Sequence, residues 1–216
     1  PPNVGRTLAS LGQYIYAEDE YGVYINQFIS STADTEVRES RLKIKMNSTL
    51  LQDGKVQIEV QSSGPGNLNI RIPWYSEKWE CVQNGISIEI QPEKGYQRLS
   101  ISPGDTYISL DFHVSPRWMG ANNGVRADAG KAALMKGPLV YCLEEKENGR
   151  YLSEIFIEEN TSIEETAPAE ELVGNVPTLS YKGIRVRNKG AAGENQLYGN
   201  VELEKEEVSL QAVPYC

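Results

Sequence analysis

From Arg41 onward the chain alternates apolar and polar residues with a period of two. Leu42, Ile44 and Met46 stand between Arg41, Lys43 and Lys45, and Val56, Ile58 and Val60 flank Gln57 and Glu59. Leu68, Ile70 and Ile72 repeat the pattern, as do Ile86, Ile88 and Ile90, and then Ile108, Leu110, Phe112 and Val114. A strand turns successive side chains to opposite faces, so each run has one apolar and one polar face. That is the signature of an antiparallel sheet packed on one side. Turn dipeptides separate several runs: Asp53-Gly54, Asn84-Gly85, Pro103-Gly104 and Asn148-Gly149. Short strands punctuated in this way predict a mostly β chain of antiparallel, jelly-roll-like β-sandwich domains.

The first residues follow another period. Val4, Leu8, Leu11 and Ile15 fall at i, i+4, i+7 and i+11, which is one face of a helix. Pro2 and Asn3 sit where a helix entry tolerates proline and favours asparagine. So short a helix is marginal alone, and its apolar stripe needs a partner, either the following sheet or something upstream. A domain boundary is expected near Pro116–Asn123, because Ser115 to Gly124 shows no strand period. Beyond it, Lys131 to Leu143, Tyr181 to Arg187 and Val208 to Val213 read as strands. The acidic stretch from Glu158 to Glu171, rich in Thr, Ala and Pro, reads as a solvated loop.

Composition narrows the function classes. The 216 residues are 39% hydrophobic and 24% charged, as in a globular protein, with a formal net charge of -9. A surface this acidic repels phosphate backbones and anionic lipid, so neither nucleic acid nor membrane is an expected partner. The three cysteines (Cys81, Cys142, Cys216) are scattered, and an odd, patternless set reads as reduced thiols, which favours the cytoplasm. His113 is the one histidine, which leaves little for a zinc site or a histidine relay. The chain starts at Pro1-Pro2-Asn3 and stops at Tyr215-Cys216, just after a strand-like run, so it reads as a fragment of a larger enzyme.

Each candidate for chemistry has an ordinary competitor. Gly124 to Lys131 looks like a phosphate loop, but five residues separate Gly124 from Gly130 and Ala132 follows Lys131, where a Walker loop needs four and then Ser or Thr. Glu18, Asp19 and Glu20, and Glu144 with Glu145, could supply the paired carboxylates of sugar hydrolysis, though such clusters are commonly solvated. Trp74, Tyr75 and Trp79 could stack on sugar rings as a carbohydrate-binding platform, or simply cap the core after Pro73. His113 faces opposite to Phe112 and Val114 and reads as solvated, Cys142 as a buried structural thiol, and Asn47 and Asn160 as sequons that occur by chance.

Several strings carry a resemblance. Pro1-Pro2-Asn3, Arg6 and Leu8 to Ala17, then Ile70-Arg71-Ile72-Pro73-Trp74, then Val125-Arg126-Ala127-Asp128 with Lys136-Gly137-Pro138-Leu139-Val140-Tyr141-Cys142-Leu143-Glu144, and finally Ala212-Val213-Pro214-Tyr215 are similar, in order, to glycoside hydrolase family 127, the β-L-arabinofuranosidase family. The resemblance implies an (α/α)6 barrel followed by β-sandwich domains. Residues 1–17 would then be the last barrel helix, 18–120 the first sandwich and 121–216 a second, truncated one. It also implies a cysteine pair directly upstream of Pro1. One cysteine of that pair would be the nucleophile of a retaining mechanism, sharing zinc with other upstream cysteine and glutamate ligands. A thiolate on zinc is held deprotonated, ready for covalent catalysis. No catalytic, cofactor-binding or metal-binding residue of this chain is therefore assigned, and Asn3, nearest the expected site, is equally explained by helix entry. The expected parent is a glycoside hydrolase that takes arabinose-containing oligosaccharide in its barrel and zinc as cofactor. The sandwiches would brace that barrel, be inactive alone and be available for a homodimer contact. The alternative is a carbohydrate-binding module using Trp74, Tyr75 and Trp79.

Overall fold

The computed structural model describes residues 2–76, 78–168, 175–191 and 197–215. They form two compact units, Pro1–Val114 and Ser115–Cys216. The first opens with helix α1 (Pro2–Ser10), continued by a 3-10 turn over Leu11–Tyr14. Proline at the first helical residue forgoes an N–H that has no intrahelical acceptor anyway. Of the predicted stripe only Ile15 is buried; Val4 and Leu8 are 56% and 63% exposed, and Leu11 is exposed too. The sheets that follow thus cover only the end of the stripe.

Ten strands make the rest of this unit: β1 (Tyr16–Asp19), β2 (Gly22–Ile25), β3 (Ser31–Val37), β4 (Ser40–Thr49), β5 (Lys55–Ser62), β6 (Gly66–Arg71), β7 (Glu80–Gln83), β8 (Ile86–Ser87), β9 (Tyr96–Ile101) and β10 (Gly104–Asp111). They form a four-stranded sheet in the order β1-β2-β6-β9 and a six-stranded sheet in the order β3-β4-β5-β10-β7-β8. All pairs are antiparallel except β2 with β6, which run parallel. The alternation places Leu42, Ile44, Met46, Val56, Ile58, Val60, Ile108 and Leu110 on the inner face of the larger sheet. They share one core with Val23, Ile25, Leu68, Ile70, Leu99 and Ile101 of the smaller. Aromatic rings belong to the same core: Phe112 is fully buried, 4.7 Å from Phe28 and stacked at 6.2 Å on Trp79. Gly22 allows β2 to approach β6 closely. Its φ of 150° suits glycine, and a Cβ there would overlap the Asn67 carbonyl on β6.

The second unit contains β11 (Pro116–Gly120), β12 (Ala132–Lys136), β13 (Leu139–Leu143), β14 (Ile155–Phe156), β15 (Ile163–Thr166), β16 (Thr178–Asn188) and β17 (Leu203–Pro214). They form one sheet in the order β11-β12-β13-β17-β16-β14, and β15 also pairs with β16. The β12–β13 turn is Gly137-Pro138, with Gly137 at φ 54°, the left-handed first position that a tight type II′ turn reserves for glycine. In a flat sheet β11 would lie about 19 Å from β16, four strand spacings away. Yet the Trp118 ring meets the Tyr181 ring edge-on at 4.9 Å, and its Nε1 donates to the Thr161 carbonyl at 3.3 Å. The sheet therefore curls until its two ends face each other across Leu134, Tyr141, Leu179, Leu210 and Ala212. Two layers are obtained from one sheet.

The structure departs from the sequence reading in four places. The units divide between Val114 and Ser115, ahead of the expected boundary at 120, because Pro116 to Gly120 is a strand that pairs with β12. Within the expected acidic loop, Ile163–Thr166 is a strand on β16, and residues 169–171 lie outside the described residues. The Ile86, Ile88, Ile90 run makes only the two-residue β8, with Ile86 on the surface. Finally, β16 and β17 extend well past their apolar stretches. Their polar ends are matched by charge: Arg187 lies 3.6 Å from Glu206 and Lys189 2.6 Å from Glu204.

Phe112→Ala removes the ring shared by Phe28 and Trp79. It should destabilise the first unit by about 4 kcal/mol, the usual cost of a large core cavity. Urea unfolding followed through the tryptophan emission of a Trp118→Phe background reads this unit, and a loss below about 1 kcal/mol would contradict the packing described.

Candidate functional site

Three of the carboxylates suggested by the sequence, Glu18, Asp19 and Glu145, are engaged in turns and cross-strand contacts. Asp19 ends β1, and its Oδ1 accepts the Tyr21 and Gly22 amides at 2.8 and 3.1 Å while Oδ2 accepts the Tyr24 hydroxyl at 3.0 Å. Glu18 accepts the Thr35 hydroxyl. As strand neighbours the two point to opposite faces, so they do not make a catalytic pair. Glu145 Oε1 accepts the Tyr151 amide at 3.1 Å, helping to shape the loop after β13. That loop is gripped from below by Arg185, only 5% exposed, which donates to the Arg150 carbonyl at 2.6 Å and the Asn148 carbonyl at 2.7 Å. The same guanidinium meets Glu154 at 3.3 Å. Sequence reasoning passed over this clamp because Arg185 sits among other charged residues of a strand.

The remaining candidates resolve in the same way. Arg126–Asp128 forms a single 3-10 turn, and Lys131 Nζ donates back to the Ala127 carbonyl at 2.8 Å. The supposed phosphate loop is thus folded on itself. His113 is half-exposed, as expected, but it lies past the end of β10 with φ 44°, its Nε2 3.4 Å from Glu80 and its Nδ1 3.7 Å from Asp111. Cys81 is buried on β7, and burial pushes its thiol up to about 11. That is the opposite of the depressed value a nucleophile or metal ligand needs. Cys142 is half-buried on β13. Among the described residues, no three His, Cys, Asp or Glu side chains gather where they could hold a metal ion.

The proposed aromatic platform is corrected by the structure. Trp79 is 9% exposed and stacks on Phe112, so its ring belongs to the core. Tyr75 is half-buried against the same core, and only Trp74 is open to solvent. The Trp74 and Tyr75 rings stand at 74° to each other, which does not present one flat surface to a sugar. A different aromatic was missed. Tyr107 lies in the polar phase of β10, between inward-facing Thr106 and Ile108, and is 60% exposed. The signal was an aromatic residue standing where the alternation calls for a polar one.

Comparison with known proteins covers the whole chain. Residues 22–113 match the family model of the beta-L-arabinofuranosidase GH127 middle domain, and residues 116–216 match that of the glycoside hydrolase family 127 C-terminal domain. A non-reducing end beta-L-arabinofuranosidase of Bifidobacterium longum subsp. longum is 31% identical, over 100% of this chain and 34% of that protein. The crystal structure of a GH127 beta-L-arabinofuranosidase from Geobacillus stearothermophilus T6 superposes with a TM-score of 0.88 at 30% identity, over 100% of this chain and 34% of that one. A GH127 beta-arabinofuranosidase gives a TM-score of 0.86 at 22% identity over 99% of this chain and 35% of its own, a likeness of fold. The chain therefore spans about a third of the length of these relatives.

The Cys81 thiol supplies a test of this picture. Burial favours its neutral form, so the stability it contributes is full below its ordinary value of 9.0 and is lost as pH rises toward about 11. At pH 8 a thiol reagent should leave Cys81 unmodified in the folded chain and label it on addition of urea. Rapid labelling under native conditions, read by mass spectrometry, would refute the assignment.

Proposed function

Since the chain belongs to glycoside hydrolase family 127, we propose that it is the non-catalytic β-sandwich part of an enzyme acting on β-L-arabinofuranosides, bracing a catalytic domain that lies outside it. The observation that carries this reading is the match of the whole chain to about a third of a beta-L-arabinofuranosidase. Features of the molecule support it. Glu18 and Asp19 point to opposite faces of β1, Cys81 is buried, and α1 presents Val4 and Leu8 to solvent. The helix Pro2–Ser10 would then pack on the upstream domain, whose helices would cover that stripe, whereas Ile15 and β1 belong to the sandwich and not, as expected for residues 1–17, to the barrel. An arabinose-containing oligosaccharide would bind there too, and the chain alone would be inactive.

Zinc belongs to the same proposal and is tied to upstream cysteine and glutamate ligands. The residues described here do not fit the ion, because no cluster of ligands forms and Cys81 keeps its proton, so no step through a metal is derived from this chain. A cytoplasmic setting, supported by the reduced Cys81 thiol, and a homodimer contact are further parts of the proposal. No helix of the described residues is long and apolar enough to cross a membrane. The reading as a binding module built on Trp74, Tyr75 and Trp79 loses its support, since Trp79 is in the core.

An aryl β-L-arabinofuranoside distinguishes the outcomes. The 216-residue chain should release no phenol above the uncatalysed rate, while the protein extended upstream should bind zinc and hydrolyse the substrate. An extended protein that folds, yet neither takes up zinc nor cleaves the glycoside, would overturn the proposal.

A further inference from the structure

The outer side of the six-stranded sheet is concave and ordered. Register sets its outward side chains in two rows across β3, β4, β5 and β10. One row is Asp34, Lys43, Gln61 and Asp105. The next is Thr32, Lys45, Glu59 and Tyr107. Three strand spacings make each row about 14 Å wide, and the hollow above them holds about 670 Å³. The Tyr107 ring borders this hollow and also a second one of about 290 Å³, lined by Gln57, Val82 and Ser109.

Three properties narrow what could occupy this face. An exposed aromatic ring offers a flat apolar surface with a polar tip, which suits a ligand that has both C–H and hydroxyl faces. The polar side chains are already held. Asp34 takes both Nε and an Nη of Arg41, at 2.8 and 2.7 Å, and Gln61 Nε2 donates to Asp105 at 3.3 Å. Lys45 stands 3.8 Å from Glu59. Groups held in advance lose less rotamer freedom on binding. The lining of the hollow sets Lys43 and Lys45 against Asp34, Glu59 and Asp105, and the chain as a whole carries -9. A face with this slight negative excess gives an anionic polymer no net attraction. An apolar protein surface would have to strip water from five ionised groups without replacing their hydrogen bonds. An uncharged, polyhydroxylated chain could replace those bonds one for one.

We propose that this face binds neutral glycan, one sugar ring lying on Tyr107 and neighbouring hydroxyls meeting Lys45, Glu59 and Gln61. It would hold the polymer near the enzyme. The inference rests on the glycoside-hydrolase reading only for the kind of sugar. It is tested on the 216-residue chain itself, where hydrolysis plays no part, so either reading can fail without the other.

Affinity electrophoresis in gels containing soluble arabinan, with heparin as the anionic control, gives the measurement, and arabino-oligosaccharide titration by calorimetry gives the constants. Arabinan should retard the chain and heparin should not. Tyr107→Ala should weaken binding roughly ten-fold, the scale of one stacked aromatic contact. Tyr107→Phe and Trp74→Ala should bind within about two-fold of the parent, a shift of under half a kcal/mol. Because Tyr107 is exposed, circular dichroism should show an unchanged fold in each variant. Absence of retardation, retardation by heparin alone, or binding that survives Tyr107→Ala would each overturn the proposal.

Discussion

A sheet with one apolar face is stable only when that face is covered, and this requirement organises both halves of the molecule. The first half meets it with a second sheet. Leu42, Ile44 and Met46 of the larger sheet share a core with Val23, Leu68 and Ile70 of the smaller. The buried rings of Phe28, Trp79 and Phe112 belong to that core. The second half has one sheet and bends it, so that Trp118 at one end meets Tyr181 near the other. The same physical demand gives a two-sheet sandwich in one case and a curled sheet in the other. What differs is the supply of strands.

That demand also explains how much could be read in the sequence. Runs such as Val56-Gln57-Ile58-Glu59-Val60 declare both strand and orientation, because burial on one side is written directly as alternation. Thr32, Asp34 and Glu36 alternate with Ala33, Thr35 and Val37, too weak an apolar signal to expose β3. The charged end of β17 is held to β16 by opposite charges across the ladder, which period-two hydrophobicity does not record. The curl of the second unit was invisible for another reason: it depends on contacts between Trp118 and residues about forty to sixty positions away. At the candidate sites, His113 is exposed as expected, although it follows the end of β10 in a left-handed backbone conformation. Trp79 shows the limit, since proximity in sequence to Trp74 and Tyr75 did not place the three rings on one face.

The division between scaffold and chemistry follows from the same features. Rigid sheets fix side chains well, and here they fix a core, an arginine clamp and an outward polar face. Catalysis of glycoside transfer needs groups of perturbed acidity gathered in a cleft. The largest resolved perturbations here, at Cys81 and Tyr181, come from burial in packed cores. Within the described residues the fold therefore contributes placement.

The lone parallel pairing among the described strands, β2 on β6, bears on the order in which the first unit assembles. Hairpins such as β3–β4 and β4–β5 join residues close in sequence and can close within microseconds. Val23 and Leu68 are some forty-five positions apart, and a parallel match cannot be made by a tight turn. The meander of β3, β4 and β5 lies between them, so its compaction brings β2 and β6 within reach and reduces the loop-closure entropy of joining them. Until then the meander's apolar face stays uncovered. The rate at which β2 finds β6 would set how long the nascent chain is vulnerable to aggregation.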